Sequence, residues 1–376
     1  MEYITVKELF KITKGKKVEE IDYKNENSIR YIQIDDLRNN NNIKHCENIN
    51  KYVIAKKEDI IIAWDGANAG TIGFGIEGAI GSTLAILRKE NKEMDTEFCG
   101  LFLRSKSAYL REKCTGATIP HIQRRALEDI KIPKISLNKQ IEIKNIINKA
   151  QELIDKRKEQ IQDLDELVKS QFIEMFGNYF KNKEHFYSLM ETCNFIDYRG
   201  KTPEKSESGI TLITAKNVKS HIFSFEPREY IPEENYEEIM TRGIPMVNDI
   251  LFTTEAPLGN VCRIPKIEGK FCVGQRLITM QPKENIVSEY LEYALLSEKF
   301  QREMWKVSSG STVKGIRSKE LVKLKVPVPP IELQNKFADF VKYTDKLKFE
   351  MEKSLKELED NFNALMQKAF NGELFN

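Results

Sequence analysis

The chain has no apolar run approaching the roughly 18–20 residues that a membrane span requires. No membrane partner is expected. The first ten residues, MEYITVKELF, carry acids and no apolar signal core, so export is not expected and the cytoplasm is the expected compartment. The six cysteines (Cys46, Cys99, Cys114, Cys193, Cys262, Cys272) are scattered without a CxxC pair, which reads as reduced thiols and argues against a bound metal. His45, His121, His185 and His221 are the only histidines, and no two are spaced as metal ligands. There is no GxxxxGK loop followed by Ser or Thr. The Gly-rich loop and Asn/Asp-Pro-Pro-aromatic motif of a DNA methyltransferase are missing too, since GFG (73–75) is too short to count. Ser82, Ser311 and Thr118 have no histidine partner suggested by sequence. IEGK (267–270) holds an isolated ExK, a frequent coincidence rather than a nuclease site. The expected catalytic, metal and cofactor residues of this chain are therefore none, which points to recognition or scaffolding.

What the chain does have is a repeat. DIIIAWDGANAG (59–70) is matched by DILFTTEAPLG (249–259). GATIPHIQRRALEDIKIPKISLNKQ (116–140) is matched without a gap by GSTVKGIRSKELVKLKVPVPPIELQ (310–334), pairing Gly116 with Gly310, Thr118 with Thr312, Ile122 with Ile316 and Gln140 with Gln334. A period this long is no solenoid. It implies two similar domains, each followed by a helix, that can offer two similar sites to one elongated partner. With 376 residues, 40% hydrophobic and 31% charged, the chain is long enough for two or three globular domains with highly charged surfaces.

The net charge of +2 is nearly neutral, but its distribution is not. Residues 104–134 hold eight Lys and Arg against three acids, and residues 299–325 hold eight against two. These stretches occupy equivalent places in the repeat. A solvated face is the ordinary meaning of such a run; recurrence in both copies favours an anionic partner met twice in the same way.

Each copy opens with strand-length runs: YIQI (31–34), DIIIAW (59–64) and LAIL (84–87), then TLIT (211–214), DILF (249–252) and RLITM (276–280). Helical segments follow at 96–114 and 288–307, then Pro-punctuated extended stretches at Pro133 and Pro327. Gly116/Thr118 and Gly310/Thr312 read as a turn with a helix cap. Long heptad patterns end each copy. The first seam is Ile143, Ile147, Ala150, Ile154, Arg157, Ile161, Leu164, Val168, Phe172, Met175. The second is Leu333, Phe337, Phe340, Thr344, Leu347, Met351, Leu355, Leu358, Phe362, Leu365. Arg157 and Thr344 interrupt them as register-fixing polar positions. The two helices are expected to pair antiparallel, returning the C-terminus to the first domain. At roughly 36–38 residues each would be about 55 Å long, or about 16 base pairs of B-DNA.

The ordered set of pieces carries a resemblance. The GATIPHI and GSTVKGI loops, the KIPK and KVPVPP stretches, the Gly-Lys turns ITKGKK (12–17) and DYRGKTP (197–203), and YIQIDDL (31–37) with LITAKNV (212–218) closely resemble the specificity subunits of type I restriction-modification systems. The resemblance implies an α+β fold: two pseudo-two-fold-related mixed α/β target-recognition domains separated by a pair of long antiparallel coiled-coil helices. It divides the chain into 1–138 (first target-recognition domain), 139–178 (first spacer helix), 179–332 (second target-recognition domain) and 333–376 (second spacer helix). It further implies that each domain reads one half of a bipartite, asymmetric sequence in double-stranded DNA and that the helices set the gap. Two modification subunits carrying S-adenosylmethionine and methylating adenine N6 would dock, joined by restriction subunits that use ATP and Mg. The subunit would have no activity alone.

Within that frame, Lys14, Lys16, Lys17, Arg199, Lys201, Lys314 and Arg317 are expected to contact phosphates, which position the protein. Arg38, Asn39, Asn40, Lys216, Asn217, Gln275 and Arg276 are candidates for base edges, each weighed against plain surface polarity. Trp64 reads as core, with stacking on a distorted base step as the alternative. Specificity should reside where the copies diverge most, at about 18–58 and 203–248, while shared parts serve as scaffold and docking surface. Two other readings stay open: a coiled-coil adaptor that does not read DNA, and the recognition subunit of a related type IIB-like system that cuts on both sides of its site.

Overall fold

The computed structural model describes residues 2–90, 93–116, 118–182, 184–200 and 203–374. The chain divides into two compact units, residues 1–158 with 353–376, and residues 159–352. Both are mixed α/β, and the same plan recurs in each.

In the first unit an antiparallel sheet runs in the order Phe10–Lys14, Leu84–Lys89, Ile60–Ala63, Ile72–Phe74. In the second unit the order is Cys193–Asp197, Leu277–Pro282, Ile250–Thr253, Val261–Arg263. The central strand explains its unbroken apolar sequence. Ile60 and Ile62 enter one core with the helices, while Ile61 and Ala63 enter another with Ile32, Ile80 and Leu84. A strand buried on both faces does not alternate. A second sheet in each unit holds a parallel pair, Ser28–Ile32 with Gly78–Ile80 and Ile210–Ile213 with Phe271–Val273. Here the copies differ: the first adds Lys44–Glu47 and Ile54–Ala55 to this sheet, and the second adds only Tyr230–Ile231.

The segments read as single helices at 96–114 and 288–307 are each broken in two. The first unit has Thr96–Ser105 and Ser107–Glu112, and the second has Ser288–Leu296 and Glu298–Val307. The second break is set by Ser297, which is extended and whose hydroxyl accepts the Phe300 N–H at 3.3 Å, so it caps a new helix. The Pro stretches form edge ribbons, Pro133 opposite Tyr3 and Pro327 opposite Phe186.

The long helices span Leu137–Lys181 and Ile331–Asn371, each longer than the 36–38 residues expected. The first runs on through Gly177 because Phe176 and Phe180 remain packed: Phe176 is fully buried and Phe180 lies 5.7 Å from the Phe172 ring. That burial outweighs the roughly 1 kcal/mol helix cost of glycine. Inside each unit the helices run antiparallel. In the first, Ile143 and Ile147 share a core with Met366, Ala369 and Phe370, and Lys158 meets Glu359 at 2.8 Å. In the second, Lys348 meets Asp165 at 2.7 Å while Phe172 and Phe176 pack on Phe337. The seam residues Ile147, Ile154 and Val168 are buried; Ile161, Leu164, Leu347, Met351, Leu355, Leu358 and Phe362 are half-buried, as one covering helix leaves each flank open. Thr344 does not act as a register-fixing partner, for its hydroxyl donates back to the Phe340 carbonyl at 2.9 Å in its own helix.

Gln140 and Gln334 rivet these helices to their domains. Both are fully buried. Gln140 Oε1 accepts the Asp95 N–H at 2.7 Å and its amide donates to the Ile135 carbonyl at 2.8 Å. Gln334 Oε1 accepts the Val287 N–H at 3.0 Å and its amide donates to the Pro329 carbonyl at 2.8 Å.

Candidate nucleic-acid interface

The glycine loops build the same frame twice. Thr115 and His121 exchange backbone hydrogen bonds of 3.0 and 2.7 Å, and the Ile122 N–H donates to the Trp64 carbonyl at 2.9 Å. Ser309 and Gly315 exchange bonds of 2.8 and 2.9 Å, and the Ile316 N–H donates to the Thr254 carbonyl at 3.0 Å. Gly116 and Gly310 are at φ 105° and 111°. A Cβ there would strike the Ile119 or Val313 carbonyl oxygen, so only glycine closes the loop. The expected Thr cap is absent. The following helices, Arg124–Glu128 and Ser318–Leu321, begin after Gln123 and Arg317 with no side-chain cap bond, because Thr118 and Thr312 lie within the closed loop rather than at a helix start.

A carboxylate faces each loop from the end of the central strand. In the first unit Asp65 takes the Lys14 ammonium at 2.6 Å and His121 Nδ1 at 2.6 Å. Burial pushes the Asp65 carboxyl up, but the bonds from Lys14 and His121 outweigh it and hold the group below the usual range. In the second unit Glu255 meets Arg276 Nε at 3.1 Å. Arg199, which like Lys14 precedes a Gly-Lys pair, lies on Asp197 at 2.7 Å and donates to the Ile316 carbonyl at 3.0 Å; Ser318 also bonds Asp197. Arg199, Gln275, Arg276 and Arg317 thus line one cleft of about 410 Å3, together with Gly310 and Val313. Four residues expected at DNA are brought together here.

The others are dispersed. Lys16, Lys17 and Lys314 are exposed, and Lys201 lies outside the described residues. Arg38 is exposed and donates to Asn68 Oδ1 at 2.7 Å. Asn40 Oδ1 accepts from Arg30, and Asn39 Oδ1 accepts the Asn41 N–H. Lys216 shares Glu229 with Lys205, at 3.0 and 2.7 Å. Asn217, a candidate for a base edge, is turned inward and its hydrogen-bonding groups are taken. It is buried, its Oδ1 accepts the Thr214 N–H at 2.9 Å, and its amide donates to the Ser224 and Pro227 carbonyls. Asp36 does the same work in the first unit, accepting the Gln33 N–H at 2.7 Å. Both residues shape a turn.

The basic stretches overstate the available cations. Arg104 covers the Phe74 ring at 4.7 Å, Lys299 covers Phe186 at 4.5 Å and bonds the Phe180 carbonyl, and Arg124 pairs with Glu128. Trp64 packs against the first core. IEGK forms a surface turn in which Lys270 meets Glu237 at 3.4 Å. Asp65, Glu255, Lys205 and Glu229 are not among the residues expected at DNA. For the first two the signal was available, since both follow matching strands at the same repeat position. Among the described residues no group of three His, Cys, Asp or Glu could hold a metal ion, and no helix is long and apolar enough to cross a membrane.

The family model for the type I restriction modification DNA specificity domain matches residues 1–166 and 201–360. The chain belongs to this family. The two matched stretches fall on the two copies of the repeat. Over 397 aligned positions the chain is 27% identical to the type I restriction enzyme MjaVIII specificity subunit of Methanocaldococcus jannaschii, covering 99% of this chain and 92% of that one. In fold it is similar to a type I restriction-modification S subunit from M. genitalium, with TM-score 0.53 and 21% identity over 98% of this chain and 96% of that one. It is also similar to a chain from a study of complex assembly and conformational transition of the type I system, with TM-score 0.61 and 17% identity over 99% and 98%. Specificity subunits of this family are generally non-catalytic.

Proposed function

We propose that each unit binds one half of a split, asymmetric site in double-stranded DNA and that the helix pair sets the number of unread base pairs between the halves. The observation that carries this is one loop-and-carboxylate frame holding different partners: Lys14 and His121 at Asp65, but Arg276 at Glu255. A shared frame with unlike reading groups is what an asymmetric bipartite sequence requires. Two modification subunits that bind S-adenosylmethionine and methylate adenine N6 dock on the shared surfaces, and restriction subunits using ATP and Mg join them.

The test is methylation by the complex reconstituted with its modification subunits. A split motif is expected; a continuous motif would end the two-reader model. Inserting four residues into both helices adds about 6 Å, so the gap should lengthen by nearly two base pairs at about 3.4 Å each. Assembly without salt-sensitive DNA binding would leave a protein adaptor.

A further inference from the structure

The loops carry an unexplained apolar residue at the same place. Ile119 is 53% exposed and Val313 is 52% exposed. Each stands opposite the glycine that closes its loop, so its own backbone is fixed by that closure. A flexible tip could fold an apolar side chain away from water; a loop pinned at its neck by paired backbone bonds presents it. Exposure of such a side chain forgoes the burial that normally favours folding. The residue recurs although His121 and Gly315, or Pro120 and Lys314, differ beside it. A feature common to two readers of different sequences acts independently of sequence.

Its surroundings identify the partner. Val313 lines the same cleft as Arg199, Arg276 and Arg317, with Glu255 as the cleft's acid. Arg199 is held by Asp197 and Arg276 by Glu255, so Arg317 and the exposed Lys314 beside Val313 leave the cleft two positive charges in excess, which suits a polyanion better than an apolar protein surface.

Resting on the function proposed above, we infer that Ile119 and Val313 are apolar wedges pressed against the duplex, one in each half-site, each partly unstacking a base step. Apolar side chains wedged between steps distort the duplex without reading hydrogen-bond edges, which suits a residue common to both readers.

The experiment uses the complex with its modification subunits and duplexes carrying 2-aminopurine at successive steps of each half-site. Ile119→Ser and Val313→Ser are each expected to weaken binding by about tenfold, the scale of one lost stacking contact. Each should abolish the 2-aminopurine fluorescence rise in its own half-site only. The methylated motif and the salt slope should not change, whereas Lys314→Ala should reduce that slope by about one counterion. Unchanged affinity and fluorescence in both variants, with wild type binding normally, would refute the wedge alone. Loss of assembly with the modification subunits, seen by native mass spectrometry, would make the tip a protein contact and overturn it as well. Failure of the wild-type complex to bind a split site would instead overturn the function on which the wedge depends.

Discussion

Arg263 Nε lies 2.6 Å from Glu292 Oε2 at the position where the first unit sets the Phe74 ring over Gly100. Register makes the equivalence firm: Phe74 pairs with Ile60, and Arg263 pairs with Ile250. One backbone junction between an outer strand and a helix is therefore sealed by a ring in one unit and by an ion pair in the other. Arg263 extends the network to Glu289 and to Asp345 on the second long helix, at 3.5 and 3.0 Å. Burial would lower the Arg263 pKa, but Glu292 and Asp345 outweigh it and keep the guanidinium charged.

Breaking that pair should be costly. Arg263→Phe leaves buried Glu292 with only His221 beside it, at 3.2 Å, and is expected to destabilise the protein by about 2–4 kcal/mol in urea unfolding. Adding Glu292→Gly recreates the first unit's pair and should recover part of the loss, despite about 1 kcal/mol for glycine in a helix. A double variant no more stable than Arg263→Phe alone would show that the two junctions are not interchangeable.

Gln140→Ala and Gln334→Ala should each cost about 1–3 kcal/mol, since the Asp95 or Val287 N–H loses its acceptor in a buried place. Hydrogen exchange locates the effect. Faster exchange is expected at the start of the Thr96–Ser105 helix for the first variant and at the start of the Ser288–Leu296 helix for the second.

These glutamines were visible in the sequence as part of the repeat, and so were the strands, the loop glycines and the heptad seam. Each of those is local or periodic: a strand run, a φ that only glycine adopts, a step of three or four. Side-chain partnership is neither. Asn217 has the donors and acceptors of a base reader, and only the turn that folds Ser224 and Pro227 onto it shows that they are taken. Lys14 and Arg199 each precede a Gly-Lys pair in the sequence, yet the sheet register sets Asp197 rather than Arg199 opposite the place of Lys14, and Asp197 claims Arg199 while Asp65 claims Lys14. The break at Ser297 leaves no mark in the sequence pattern, because apolar spacing continues across it while the cap depends on one hydroxyl.

Asp65 makes the first unit acid-sensitive. Its folded pKa lies below its ordinary value of 3.8. As pH falls the unfolded chain takes up the proton first, so the contribution is complete above that value and is lost as pH drops through the lower folded one. Wild type and Asp65→Asn compared by denaturation from neutral pH down to about 2.5 should differ by a constant amount at first and then converge. A gap that persists to the acid end would mean that Lys14 and His121 bind the neutral side chain equally well.

Arg276 and Asn217 should separate reading from folding. The Arg276–Glu255 pair is exposed on both sides, so it contributes little stability and leaves the guanidinium able to turn toward a base. Arg276→Ala is expected to hold stability within about 0.5 kcal/mol. It should relax the methylated motif at one position of one half-site by about 1–3 kcal/mol, the discrimination of a bidentate base contact. Asn217→Ala should do the reverse. It leaves the Thr214 N–H and two carbonyls without their partner, which costs about 1–3 kcal/mol, and the motif should be unchanged at temperatures where the variant is folded. Methylation sequencing and thermal melts on the same preparations decide the matter: an altered motif in stable Asn217→Ala, together with an unaltered one in Arg276→Ala, would reverse the two assignments.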